Sequence, residues 1–224
     1  MDVFNIIQLA IILAISIGLH EYAHAYVSYK LWDPTPKLQW RLTPNPLKHI
    51  DPIWFLMIFL IHFWRGKPVQ INPTYYKNPL KGELLVSLAW PATNLILATI
   101  WIIILLIYWK FIWLWLANLQ DIMNQIISNW KISIDIILNF RCLFTWLNIA
   151  LAVFNLLPIY PLDGYRLIKI IRPAAWFWME KNWLLITIIF FFILMGTDIF
   201  WNIIRNIVNF VFNVIFTIFW NIFY

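Results

Sequence analysis

Long apolar runs separated by short polar, proline-rich stretches dominate the chain. Residues 3–29 are almost continuously apolar, long enough for one tilted helix across a hydrocarbon core of about 30 Å. Residues 30–51 carry Lys30, Lys37, Arg41 and Lys48 among Pro34, Pro36, Pro44 and Pro46, which forbid a regular helix. Residues 53–64 are apolar but too short to span, so a re-entrant or short tilted element is expected. A second basic, proline-broken loop covers 65–83. Residues 84–108 read as a second span, 109–131 as a surface helix or loop, 132–157 as a third span and 183–201 as a fourth. In the tail, 202–224, Asn202, Asn206, Asn209, Asn213 and Thr217 recur at helical spacing as one polar stripe, expected to be a helix-packing seam.

The pattern predicts an all-α polytopic membrane protein of about four to six transmembrane helices, with a short re-entrant or small β element between the first and second full spans. Residues 1–181 would form the core and 182–224 C-terminal transmembrane or interfacial helices. Composition agrees: 63% hydrophobic, 12% charged, too apolar for a water-soluble core. The net charge of +6 sits in loops beside apolar runs, which is a membrane-topology pattern and not a nucleic-acid footprint. The basic loops 30–51, 65–83 and 166–181 should face the cytoplasm, which brings the ends of the first and third spans to one membrane face. Met1-Asp2-Val3-Phe4 offers no basic leader, so the first run is expected to be retained. Cys142 is the single cysteine, so no internal disulfide forms.

The chemistry lies inside the first run, in Gly18-Leu19-His20-Glu21-Tyr22-Ala23-His24. Ionisable groups in a membrane helix are expensive unless they act. His20 and His24, four apart, stack one turn above another and can grip one metal ion; Glu21 can then act as a base toward water. Catalytic zinc takes three protein ligands and an open position. Asp163, in a Pro161-Leu162-Asp163-Gly164 turn at the end of the third span where Gly164 is expected to let the backbone bend sharply, is the best third ligand, with Asp33, Asp51, His49 and His62 as rivals. Asn94 and Asn148 are polar groups within spans that could hold an unwound backbone or an oxyanion, or simply bridge helices.

Several motifs occur together: His20-Glu21-Tyr22-Ala23-His24, Asp33-Pro34-Thr35, Arg41-Leu42-Thr43-Pro44-Asn45-Pro46 running to His49-Ile50-Asp51-Pro52, Lys67-Pro68-Val69, Pro91-Ala92-Thr93-Asn94, and Phe154-Asn155-Leu156-Leu157-Pro158 through Asp163-Gly164. In this order the chain, over roughly residues 10–172, resembles the site-2 protease family of intramembrane zinc metalloproteases, peptidase family M50, in its compact bacterial branch without PDZ or CBS domains. The resemblance implies one zinc ion on His20, His24 and Asp163, with Glu21 as general base and acid. It also implies a membrane-protein substrate cut within or beside a transmembrane helix, as in regulated intramembrane proteolysis, and a bacterial cytoplasmic membrane with the site toward the cytoplasm. The alternative is a metal-binding membrane protein without proteolysis, a pseudoprotease or transporter. The intact Glu21 argues against the first. Missing inverted repeats argue against the second.

The chain departs from the family where glycine is usual: it has Trp32, Trp40, Trp54 and Trp90. It holds 16 Trp and 5 Gly, whereas glycine at about 7% would give roughly 16. Some bacteria read UGA as glycine and other codes read it as tryptophan, so a wrong table would produce this composition.

Overall fold

The computed structural model describes residues 3–51, 67–117, 140, 142–160, 162–196 and 198–223. Its regular structure is all helical, with no strand among the described residues. The expected short element at 53–64 lies outside them, as do Trp54, His62 and most of 109–131.

Helix α1 (Val3–Lys30) runs 28 residues, about 42 Å. A one-turn helix α2 (Thr35–Leu38) and a 3-10 turn (Pro46–Lys48) follow, both opened by proline near the first position, where its missing N–H is harmless. Helix α3 (Pro79–Ala117) is longer at both ends than the span read from hydropathy. It continues past Tyr108, through the start of the stretch read as a surface segment. Helix α4 (Cys142–Asn155) is the described part of the third span. The basic stretch 166–181 is not a loop: it folds as α5 (Tyr165–Ile171) and α6 (Pro173–Lys181), split where Pro173 follows Arg172. Residues 183–201 also divide, between α7 (Trp183–Gly196) and the start of α8 (Asp198–Phe223). The 14 residues of α7 reach about 21 Å, short of a full crossing. Ile6–Lys30, Pro79–Phe111 and Phe200–Phe223 are long and apolar enough to cross.

Helices α1 and α3 pack antiparallel, since His24 faces Val86 while His20 faces Trp90. The loop after α2 reaches α1 at Gly18, where a Cβ would sit 2.6 Å from that of Pro46. Helix α4 joins α1 through Asn148, whose Nδ2 donates to Ser16 Oγ at 3.0 Å. Ala98 of α3, Ile149 of α4 and Ile204 and Val208 of α8 form a buried apolar cluster. That cluster corrects the tail's expected polar seam. Asn202, Asn206 and Asn213 are exposed, the packed face is apolar, and only Asn209 of the four asparagines is recorded reaching across, accepting from Trp146 Nε1 at 3.3 Å.

Candidate metal centre

One turn of α1 and one interhelical turn make the centre. Helical spacing puts His20 and His24 on the face turned to α3, with ring centroids 4.8 Å apart. Asp163 arrives from the turn between α4 and α5. Gly164 N–H donates to Asn155 O at 2.7 Å there, and Leu162 N–H to Ile159 O at 2.8 Å. Gly164 has ordinary helical dihedrals (φ −58°); the sharp-bend reason expected from sequence does not apply. A Cβ at this position would collide with the carbonyl oxygens of Leu156 and Leu157, so the requirement is close backbone approach. Lys169, on α5, pairs with both Glu83 oxygens at 2.9 Å and pins the turn's far side to α3.

Asp163 Oδ2 lies 3.3 Å from His24 Nε2 and 3.8 Å from His20 Nε2. One ligand atom from each of the three residues lies within 4.8 Å of the others. Tetrahedral zinc with bonds of about 2.0–2.2 Å separates its ligands by about 3.3–3.5 Å, so small side-chain rotations close the set. The hydrogen bonding fits a cation as well. His24 Nδ1–H donates to Val86 O at 2.8 Å, which fixes the tautomer and leaves the Nε2 lone pair facing the cluster. Two imidazoles and a carboxylate thus converge in a buried place, a donor set that a divalent ion satisfies.

Glu21 is buried beside this set, its Oε1 3.5 Å from His20 Nε2. Its Oε2 accepts the Val69 backbone N–H at 2.8 Å. Val69 lies in the irregular segment 67–72, which is anchored again at Asn72, whose N–H donates to Asp33 Oδ2 at 2.7 Å.

Two of the rival ligands, His49 and Asp33, are engaged elsewhere. His49 Nε2–H donates to Thr43 O at 2.9 Å. Burial, with Arg41 nearby, holds its pKa below the usual histidine value against the pull of that bond. Asp33 accepts from Ser28 Oγ at 2.7 Å and Thr35 N at 2.9 Å besides Asn72. Burial alone would raise its pKa, but the hydrogen bonds from Thr35, Asn72 and Ser28 outweigh it and hold Asp33 below the ordinary aspartate range. Ser28 gives its single proton to Asp33, so the Tyr76 O–H donates to Ser28 at 2.7 Å. Among the described residues, His20, His24 and Asp163 are the set whose ligand atoms converge.

Asn148 gives its amide protons to Ser16 Oγ and, at 2.9 Å, to Phe144 O. Asn94 is fully buried, and neither amide atom has a partner. Sequence reasoning missed the Val86 carbonyl and the Val69 N–H, because a backbone partner leaves no mark in residue type.

The family model described as peptidase family M50 matches residues 8–196. The chain is 35% identical over 201 residues to "Putative zinc metalloprotease YwhC" of Bacillus subtilis, covering 88% of this chain and 85% of that one. It is 28% identical over 158 residues to "Putative zinc metalloprotease Rip2" of Mycolicibacterium smegmatis, covering 67% of this chain and 51% of that one. No solved structure matches.

Proposed function

The chain belongs to peptidase family M50 and is a zinc metalloprotease of the membrane, and from that premise we propose that it cuts a membrane-protein substrate within or beside a transmembrane helix. The observation that carries this reading is the convergence of His20 and His24, buried in an apolar helix, with the half-buried Asp163 of the turn after α4 and with Glu21 at the edge. We assign zinc to those three side chains. Bound zinc supplies a Lewis acid that acidifies water and polarises a carbonyl.

The protein's own residues do the rest. The Val86 carbonyl orients His24, and the Val69 N–H holds Glu21 with its second oxygen toward the cluster. Glu21 takes a proton from the attacking water and delivers it to the leaving amine. A helical substrate hides its carbonyls in internal hydrogen bonds and must unwind locally before it is cut. Segment 67–72, without helix or strand partners of its own, is suited to receive the unwound backbone. Asn94, with both amide atoms unused, is assigned to hydrogen-bond that backbone.

The basic residues flanking this end of the bundle support a cytoplasmic side for the site, in what we take to be a bacterial plasma membrane. Regulated intramembrane proteolysis is the process this arrangement serves. The test compares wild type with Glu21→Gln, measuring zinc per chain and cleavage of a model transmembrane substrate. Equal zinc with cleavage by wild type alone supports the proposal. Bound zinc with no cleavage by wild type makes the chain a metal-binding membrane protein without proteolysis.

A further inference from the structure

Two non-glycine residues among those described have positive φ, and both are tryptophans: Trp32 at 78° and Trp40 at 58°. None of the described glycines has positive φ. A bulky aromatic in the left-handed region is an outlier.

Hydrogen bonding shows why the backbone bends there. At the end of α1, Asp33 N–H donates to Ser28 O at 3.2 Å and Trp32 N–H to Tyr29 O at 3.1 Å. At the end of α2, Arg41 N–H donates to Pro36 O at 2.9 Å and Trp40 N–H to Lys37 O at 3.0 Å. Each is a six-to-one bond enclosing a five-to-two bond, the Schellman helix stop, whose left-handed position is usually glycine. Twice the chain builds that stop, and twice it carries an indole where a Cβ is disfavoured. The rings offer no compensation: Trp32 is 74% and Trp40 83% exposed.

Trp90 fails differently. It is buried in α3 against α1, one helical turn from Val86. Its ring centroid lies 3.7 Å from that of His20, inside the about 4.5–7 Å at which aromatic rings ordinarily pair. Its Nε1–H is buried without an acceptor, although a buried indole normally finds one. A glycine at 90 would free both helices to approach and remove the indole from the flank of a zinc ligand.

We infer that positions 32, 40 and 90 are glycines in the protein as its cell makes it, the tryptophans arising from UGA codons read under the wrong table. The abundance of 16 Trp beside 5 Gly is the same substitution seen in bulk. Positions 32 and 40 stand on backbone geometry alone. Position 90 also rests on the proposed zinc site.

Codon and peptide data decide the matter independently of any protease activity. The expected result is UGA at all three positions, with glycine in the corresponding peptides of protein purified from the source cells and read by mass spectrometry. UGG codons, or peptides carrying tryptophan, overturn the inference. A second measurement uses recombinant chain. W32G and W40G should each raise the thermal midpoint by a few degrees, and a fall in both overturns the backbone argument. W90G should bind zinc at least as fully as the chain as written, and a loss of zinc on that change overturns the claim for position 90.

Discussion

The site end of the bundle and the C-terminal helix are both apolar in sequence, yet they are held by different forces. In the span Ile6–Lys30, 39% of the most apolar window is buried inside the protein; in Phe200–Phe223 the share is 11%. Around α1 the buried groups are largely polar, and each tie has a direction: His24 to Val86, Glu21 to Val69, Asp33 to Asn72. Along α8 the packed face is Ile204 and Val208 against Ala98 and Ile149, contacts without direction. In lipid, van der Waals fit can hold an apolar helix, but only hydrogen bonds can hold ionisable groups at depth. Hydropathy, which scores both regions alike, is blind to this division.

The contrast is broken most severely at the ligands. Asp163→Ala or His24→Ala should lower zinc from one per chain to near none, measured on the purified protein. Glu21→Gln should keep zinc while cleavage falls by about 10²–10⁴-fold, the usual share of a positioned acid–base group. Ile204→Ala should leave zinc and cleavage intact. Its destabilisation should be about 1–2 kcal/mol, below the roughly 2–5 kcal/mol of a water-soluble core because lipid, not water, is the reference solvent.

Asp33 sharpens the picture through pH. Its folded pKa is depressed, so its contribution is complete above the unfolded value of about 3.9 and is lost as pH falls through the folded value. The thermal midpoint should therefore drop on acidification below about pH 4. Asp33→Asn should start lower at neutral pH and show a flatter acid limb. The mildest effect at the site end belongs to Lys169→Ala. Removing the cation strands the buried Glu83 carboxylate, which should cost about 1–3 kcal/mol in a melt and leave zinc bound.

Much of this was legible in the chain. Helical spacing fixed which face His20 and His24 share, and loop charge brought Asp163 to the same membrane side, where it now lies 3.3 Å from His24. Helix ends were less legible. Hydropathy ended the second span near Tyr108, whereas α3 runs to Ala117. The charges of 166–181 suggested a loop, yet Pro173 opens α6 at a position where proline is harmless. The asparagine stripe of the tail was periodic but mostly exposed, because periodicity reports a face and not what covers it. Glycine's role at 164 was expected in the wrong form, since close backbone approach and a sharp bend look alike in sequence.

Two of the ties on segment 67–72 have a mechanical consequence. Glu21 holds Val69 and Asp33 holds Asn72, three residues apart, and both acids belong to α1 or its immediate end. The strap between them is thus riveted at both ends to the helix that bears the histidines. A swing hinged toward Pro73 that uncovers Glu21 must release Val69 from it, and also Gln70 from Gln39 and Lys67 from His49 and Arg41. With the roles proposed above for Glu21 and segment 67–72, the proton carrier and its doorway would share one fastening, so admitting a peptide and freeing the base would be a single event.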